Sequence, residues 1–174
     1  MRVRSIVALL ATTLVPALAL AQTGNAPVAD AFRDTESKMS KNLVAAAEAM
    51  PADKYNFKPT PAQMTFGQVV LHVAVDNDLA CPGIGFMQAP QRDRLSPTDD
   101  KDKLVGLLKD TFALCDQVFG KLDDSKLGSQ VSGFGVTWTQ VGLMSERTED
   151  WADHYSQMAI YLRLNGKLPP TARR

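Results

Sequence analysis

The stretch TWTQVGLMSERTEDWADHYSQMAIYLRLNGKLPP, residues 137–170, decides the fold. Leu143, Arg147, Asp150, His154 and Tyr161 recur along one stripe at helical spacing, and Met144, Trp151, Tyr155, Met158 and Leu162 form the neighbouring stripe. The spacing predicts a helix from Thr137 to Asn165, stopped by Gly166 at the C′ position and by Pro169-Pro170. A helix of this length with an apolar face needs other elements to cover it.

Working outward, three further segments supply them. From Val28 to Met50, the residues Val28, Phe32, Met39, Leu43, Val44 and Ala47 fall close to a 3.6-residue period. Pro51 and Pro59-Thr60-Pro61 then force a non-helical connection as far as Met64. Thr65 caps a second helix from Phe66 to about Cys81, with Val69, Val70, Val73 and Leu79 on its apolar side; Pro82-Gly83 marks its end or a kink. Pro90 to Pro97 reads as a loop. Asp99 or Asp100 caps a third helix that runs to about Leu122 on Leu104, Leu107, Leu108, Phe112, Cys115, Val118 and Phe119. Residues 123–136 are polar and glycine-rich; they show no strand pattern, and Gly133-Phe134-Gly135 reads as a turn. The expected fold is all-α: an antiparallel four-helix bundle with room for one long crossover.

Composition narrows the function. Nineteen Lys+Arg balance nineteen Asp+Glu, which excludes a basic footprint for nucleic acid and a polybasic grip on anionic lipid. No Gly-x-Ser-x-Gly nucleophile motif and no phosphate-cradling loop is present. The whole chain holds two His and two Cys, too few and too scattered for a zinc finger.

The first segment stands apart. Met1-Arg2-Val3-Arg4 is a basic head, Ile6 to Leu20 is an apolar run broken by Pro16, and Ala19-Leu20-Ala21 is a small-x-small cleavage site. Residues 1–21 read as a secretory signal peptide cut before Gln22, too short and interrupted for a stable membrane anchor. The mature chain, residues 22–174, is then a single exported domain, periplasmic or secreted. Export makes Cys81 and Cys115 a disulfide candidate, the alternative being two buried thiols that act as small hydrophobes.

The functional signal lies in polar residues set where apolar ones belong. Asp150 and His154 are four apart, so both project from one face of the last helix. His72 shares a side of the second helix with Val69, Asp76 and Leu79. Bundles build metal sites from side chains on facing helices, and two His with one carboxylate leave coordination positions open. His72, Asp150 and His154 are therefore candidate ligands of a divalent metal ion (Zn, Ni, Fe or Mn). Asp76 could be a fourth ligand or an acceptor that orients an imidazole, and Asp153 is a further candidate for proton transfer.

Three stretches carry a resemblance. They are Met50 to Pro61 (MPADKYNFKPTP), Thr65 to Ala74 (TFGQVVLHVA), and His154-Tyr155-Ser156-Gln157 with Tyr161 to Pro170 (YLRLNGKLPP). In this order they resemble the DinB-like family of small helical bundles, which includes metal-dependent hydrolases and thiol-dependent transferases. The resemblance implies a metal site made of one His on the second helix and two His four apart on the fourth. His72 and His154 fall on the first and last of those positions, whereas the middle one is Asp150 and the small Gly that usually follows the last His is Ser156. It also implies that Cys81 and Cys115 lie where exported relatives can pair the second and third helices, and that two copies can associate through a helix face.

Two function classes follow. One is a metal-dependent hydrolase or transferase; an oxidising compartment lacks the low-molecular-weight thiols that transferases need, which favours hydrolysis. The other is a non-catalytic bundle that binds a small apolar ligand or a protein partner. An Asp150 turned outward to solvent or paired with Arg147 would decide for the second.

Overall fold

The computed structural model describes residues 26–172; the expected signal segment lies outside the described residues. Four helices form the body: α1 (Pro27–Ala49), α2 (Phe66–Ile84), α3 (Lys101–Phe119) and α4 (Gln140–Leu164). Single 3-10 turns sit at Ala52–Lys54 and Asp124–Lys126. Helices α1 and α2 occupy diagonal corners, each packed on both α3 and α4.

The expected four-helix bundle is present, and its long crossover falls between α2 and α3. Asn77 bonds Thr111 and Cys81 bonds Cys115, so these two helices advance in the same direction. Residues 85–100 must carry the chain back along the bundle between them. Across the bundle the packing is antiparallel. Lys109 near the middle of α3 pairs with Glu48 at the end of α1, and Leu122 beyond α3 meets Arg33 near the start of α1. In the same way Gln140 at the start of α4 reaches Ile84 at the end of α2.

Each helix end is tied by an identifiable device. At α2, Thr65 Oγ1 accepts from the Gln68 amide at 3.1 Å while Gln68 Oε1 accepts from the Thr65 amide at 2.6 Å, a reciprocal capping box. At the end of α4, Gly166 adopts φ +69°, and Lys167 N–H donates to Leu162 O at 2.9 Å, the bond that closes a Schellman turn. Helix α1 borrows both of its caps. Asp124 accepts from the Ala29 amide at 2.8 Å, and Lys101 Nζ donates to the carbonyls of Glu48 and Met50 at 2.6 and 2.8 Å. Asp100 holds the N-cap position of α3 without a side-chain cap, and Asp99 accepts from the Ser96 amide.

Four sequence expectations are corrected. A hairpin occupies part of the stretch thought irregular: β1 (Gln130–Gly133) pairs antiparallel with β2 (Val136–Thr139). Its two-residue turn, Phe134-Gly135, has φ +54° and +74°, the doubly positive pattern that matches strand twist. The second strand takes Thr137 to Thr139, so α4 starts at Gln140, with Thr139 accepting from the Gly142 amide at 3.1 Å. Helix α2 runs through Pro82 to Ile84, because a proline in the last turn removes only one helical bond and Cys81, Pro82 and Ile84 are all buried. Leu79 and Val28, assigned to apolar faces, are 49% and 39% exposed.

The hairpin packs on the end of α2. A Cβ on Gly83 would lie 1.9 Å from Ser132 O, so only glycine permits this approach. Trp151 Nε1 donates to Asn77 Oδ1 at 2.8 Å and Asn77 Nδ2 donates to Thr111 Oγ1 at 3.3 Å, a buried polar chain joining α4, α2 and α3. The disulfide Cys81–Cys115, with Cα atoms 5.2 Å apart, locks α2 to α3 one turn further on.

Candidate metal centre

His72 and Asp76 are one turn apart on α2; Arg147, Asp150 and His154 follow one another on the facing stripe of α4. Because these helices are antiparallel, the two short runs meet at the same height. The two imidazole rings lie edge to face with centroids 4.6 Å apart. One ligand atom from each of His72, Asp150 and His154 falls within 4.8 Å of the others. Asp150 Oδ1 is 3.1 Å from His154 Nε2 and 3.9 Å from His72 Nε2. Donors around a tetrahedral ion with bonds of 2.0–2.1 Å lie about 3.3 Å apart, which these two separations bracket. Two imidazole nitrogens and a carboxylate oxygen are also a donor set that divalent ions accept. The residues fit a metal.

Electrostatics keep the imidazoles in the form that a metal requires. Burial is the main cause lowering the pKa of both His72 and His154, and Arg147 adds to it; Asp76 opposes it at His72, and Gln157 with Asp153 at His154. Both shifts favour the neutral imidazole, the form that has a lone pair for a metal. The His154 side chain is 7% exposed and that of His72 40%, so the site opens towards solvent on the α2 side.

Asp76 adjoins the cluster and Asp153 does not. Asp76 Oδ2 is 3.4 Å from His72 Nε2, the same nitrogen that faces Asp150, and 3.7 Å from Arg147 Nη1, so it sits beside the three-donor cluster. Asp153 is exposed and accepts from Gln157 Nε2 at 2.7 Å.

Arg147, on the stripe and named in the sequence as a possible partner of Asp150, is that partner in the structure. Its side chain is fully buried; Nη2 meets Asp150 Oδ2 and Nη1 lies 3.7 Å from Asp76 Oδ2. Asp150 thus divides its oxygens, one towards the histidines and one to the guanidinium. The signal was available: an arginine three residues before an aspartate, inside an otherwise buried stripe. Phe134, at the hairpin tip, carried no such signal.

The profile of the DinB superfamily matches residues 37–145. The chain belongs to the DinB superfamily. That match spans His72 and stops before Asp150 and His154, so the assignment does not rest on the α4 half of the site. The fold is similar to that of a DinB-like protein from Bacillus subtilis, with TM-score 0.65 and 20% identity over 83% of this chain and 99% of that one. A DinB-like protein from Bacillus cereus is similar at TM-score 0.69 and 14% identity, covering 83% and 97%. A conserved protein from Enterococcus faecalis gives 0.65 and 16%, covering 80% and 98%. No curated protein matches the sequence. Membership and these likenesses account for the fold.

Proposed function

We propose that this DinB superfamily protein is an exported metal-dependent hydrolase whose divalent ion is held by His72, Asp150 and His154. The convergence of those three donors from two helices carries the reading. A bound divalent ion there would supply Lewis acidity and lower the pKa of a bound water. The protein's own groups do the rest. The half-exposed His72 edge gives access, and Arg147 neutralises part of the carboxylate charge. Val75 and Leu79, 44% and 49% exposed beside His72 and Asp76, offer a small molecule an apolar wall. Export is supported by the leader-like first 21 residues and by the Cys81–Cys115 bond, which persists in oxidising compartments.

The test is the metal content of untagged mature protein after incubation with Zn²⁺, Ni²⁺, Fe²⁺ or Mn²⁺. One equivalent is expected, lost in His72→Ala and His154→Ala. One contact favours a second reading, a non-catalytic ligand-binding bundle: Asp150 is paired with Arg147, the outcome set out above for that reading. Metal well below one equivalent selects it.

A further inference from the structure

Arg147 touches more than carboxylates. Its Cζ lies 5.8 Å from the ring of Trp151, one turn along α4, and 5.8 Å from the ring of Phe134, at the tip of the hairpin. Both lie within the range over which an aromatic ring attracts a guanidinium, more strongly when water is excluded. The same guanidinium reaches Asp76 on α2 and Asp150 on α4, one on each of the helices that would supply the ligands. Each contact is to an Oδ2 atom; the oxygen of Asp150 that faces the histidines is the other one, Oδ1, whereas Asp76 turns the same Oδ2 to Arg147 and to His72.

We propose that Arg147, clamped by Phe134 and Trp151, is a positioning residue that fixes the carboxylates of Asp76 and Asp150 for a divalent cation, and that the hairpin serves to hold it. This rests on the metal reading above. Asp150 brings a negative charge into a half-buried site, already crowded by Asp76, and a buried charge needs a partner. A guanidinium meets that need with a planar fork that can hold two carboxylates at set angles, which an ammonium cannot do. Holding Oδ2 leaves one defined oxygen of Asp150 for the ion. The fork in turn would swing without a support. Phe134 adopts φ +54°, a conformation that costs an L-residue energy, and its ring is turned onto Arg147. A solvent-facing turn without a task would carry Asn or Gly there.

The test is a Co²⁺ titration of the mature protein and of the variants Arg147→Met, Arg147→Lys and Phe134→Gly, read by visible absorption and by competition with a chelator. Melting curves in EDTA report folding separately. Wild type should take up one equivalent with a defined absorption band. Arg147→Met and Arg147→Lys should each weaken Co²⁺ binding by about 10–100-fold and alter the band, as loss of an outer contact to a ligand does. Phe134→Gly suits the positive φ of the turn and so keeps the hairpin, yet should still weaken binding several-fold. If Arg147→Met fails to fold, the other two variants decide. Wild-type affinity and spectrum in Phe134→Gly and in Arg147→Lys would overturn the proposal, as would tighter binding by Arg147→Met, which would make the arginine a rival cation. Absence of Co²⁺ uptake by the wild type would sink the metal reading itself and this inference with it.

Discussion

At the scale of single residues, the molecule holds a second charge placed against expectation. Glu36 on α1 is 1% exposed, and its Oε1 has no hydrogen-bond partner among the described residues. Burial pushes its pKa up to about 7, with Asp116 adding to the rise and Lys41 opposing it. A carboxyl whose folded pKa lies above its unfolded value binds more protons in the fold, so its contribution to stability is fully present below about pH 4.5 and falls as pH rises through about 7. Urea unfolding at pH 5 and pH 8 should therefore show wild type losing about 2–3 kcal/mol more than Glu36→Gln between the two values. An equal loss in both proteins would show that the carboxyl is solvated. Glu36 was illegible in sequence, since a single glutamate on a helix face looks like any surface residue until its neighbours are known. His72, Asp150 and His154 were legible because helical spacing put them on inward stripes, and because the chain has no other histidine to confuse the pattern.

The four helices could be read because a 3.6-residue apolar period and proline or glycine stops are local signals. The hairpin could not, because Phe-Gly in place of Asn-Gly hides a two-residue turn, and its short strands depend on docking against Gly83. The parallel run of α2 and α3 was equally hidden, since helix direction is set by how residues 85–100 cross the bundle and not by any pattern within a helix. Two features hold those helices in register. Replacing both Cys81 and Cys115 by Ala removes a 34-residue closure and should cost roughly 4 kcal/mol by the chain-entropy argument, seen as a lower midpoint in urea. A midpoint unchanged by the double replacement would mean that the unfolded chain gains nothing from being freed. Asn77→Ala strands the buried indole N–H of Trp151 and should destabilise by about 2–3 kcal/mol. Restoring the midpoint by pairing Asn77→Leu with Trp151→Phe, which removes both polar partners, would identify the lost hydrogen bond as the cause.

For the whole molecule, the site is a joint between parts that fold from distant stretches of sequence. His72 and Asp76 come from α2, Arg147, Asp150 and His154 from α4, and the clamp on Arg147 from the hairpin between α3 and α4. Any ion bound there links α2, α4 and the hairpin, but has no comparable partner set in the unfolded chain, where these residues are some 80 apart. By mass action a ligand that binds only the native state stabilises it by about 2.7 kcal/mol at a hundred times its Kd. For a domain of this size that corresponds to a rise in Tm of about 5–10 °C. The expected outcome is a melting temperature that climbs with the logarithm of metal concentration and falls back when EDTA is added. His72→Ala should abolish the rise while leaving the EDTA melting point near that of wild type, because its side chain is 40% exposed and makes little of the core. A wild-type Tm indifferent to Zn²⁺, Ni²⁺, Fe²⁺ and Mn²⁺ would instead mean that Arg147 alone balances the two carboxylates. The α2–α4 joint would then be an ion-pair cluster built for packing.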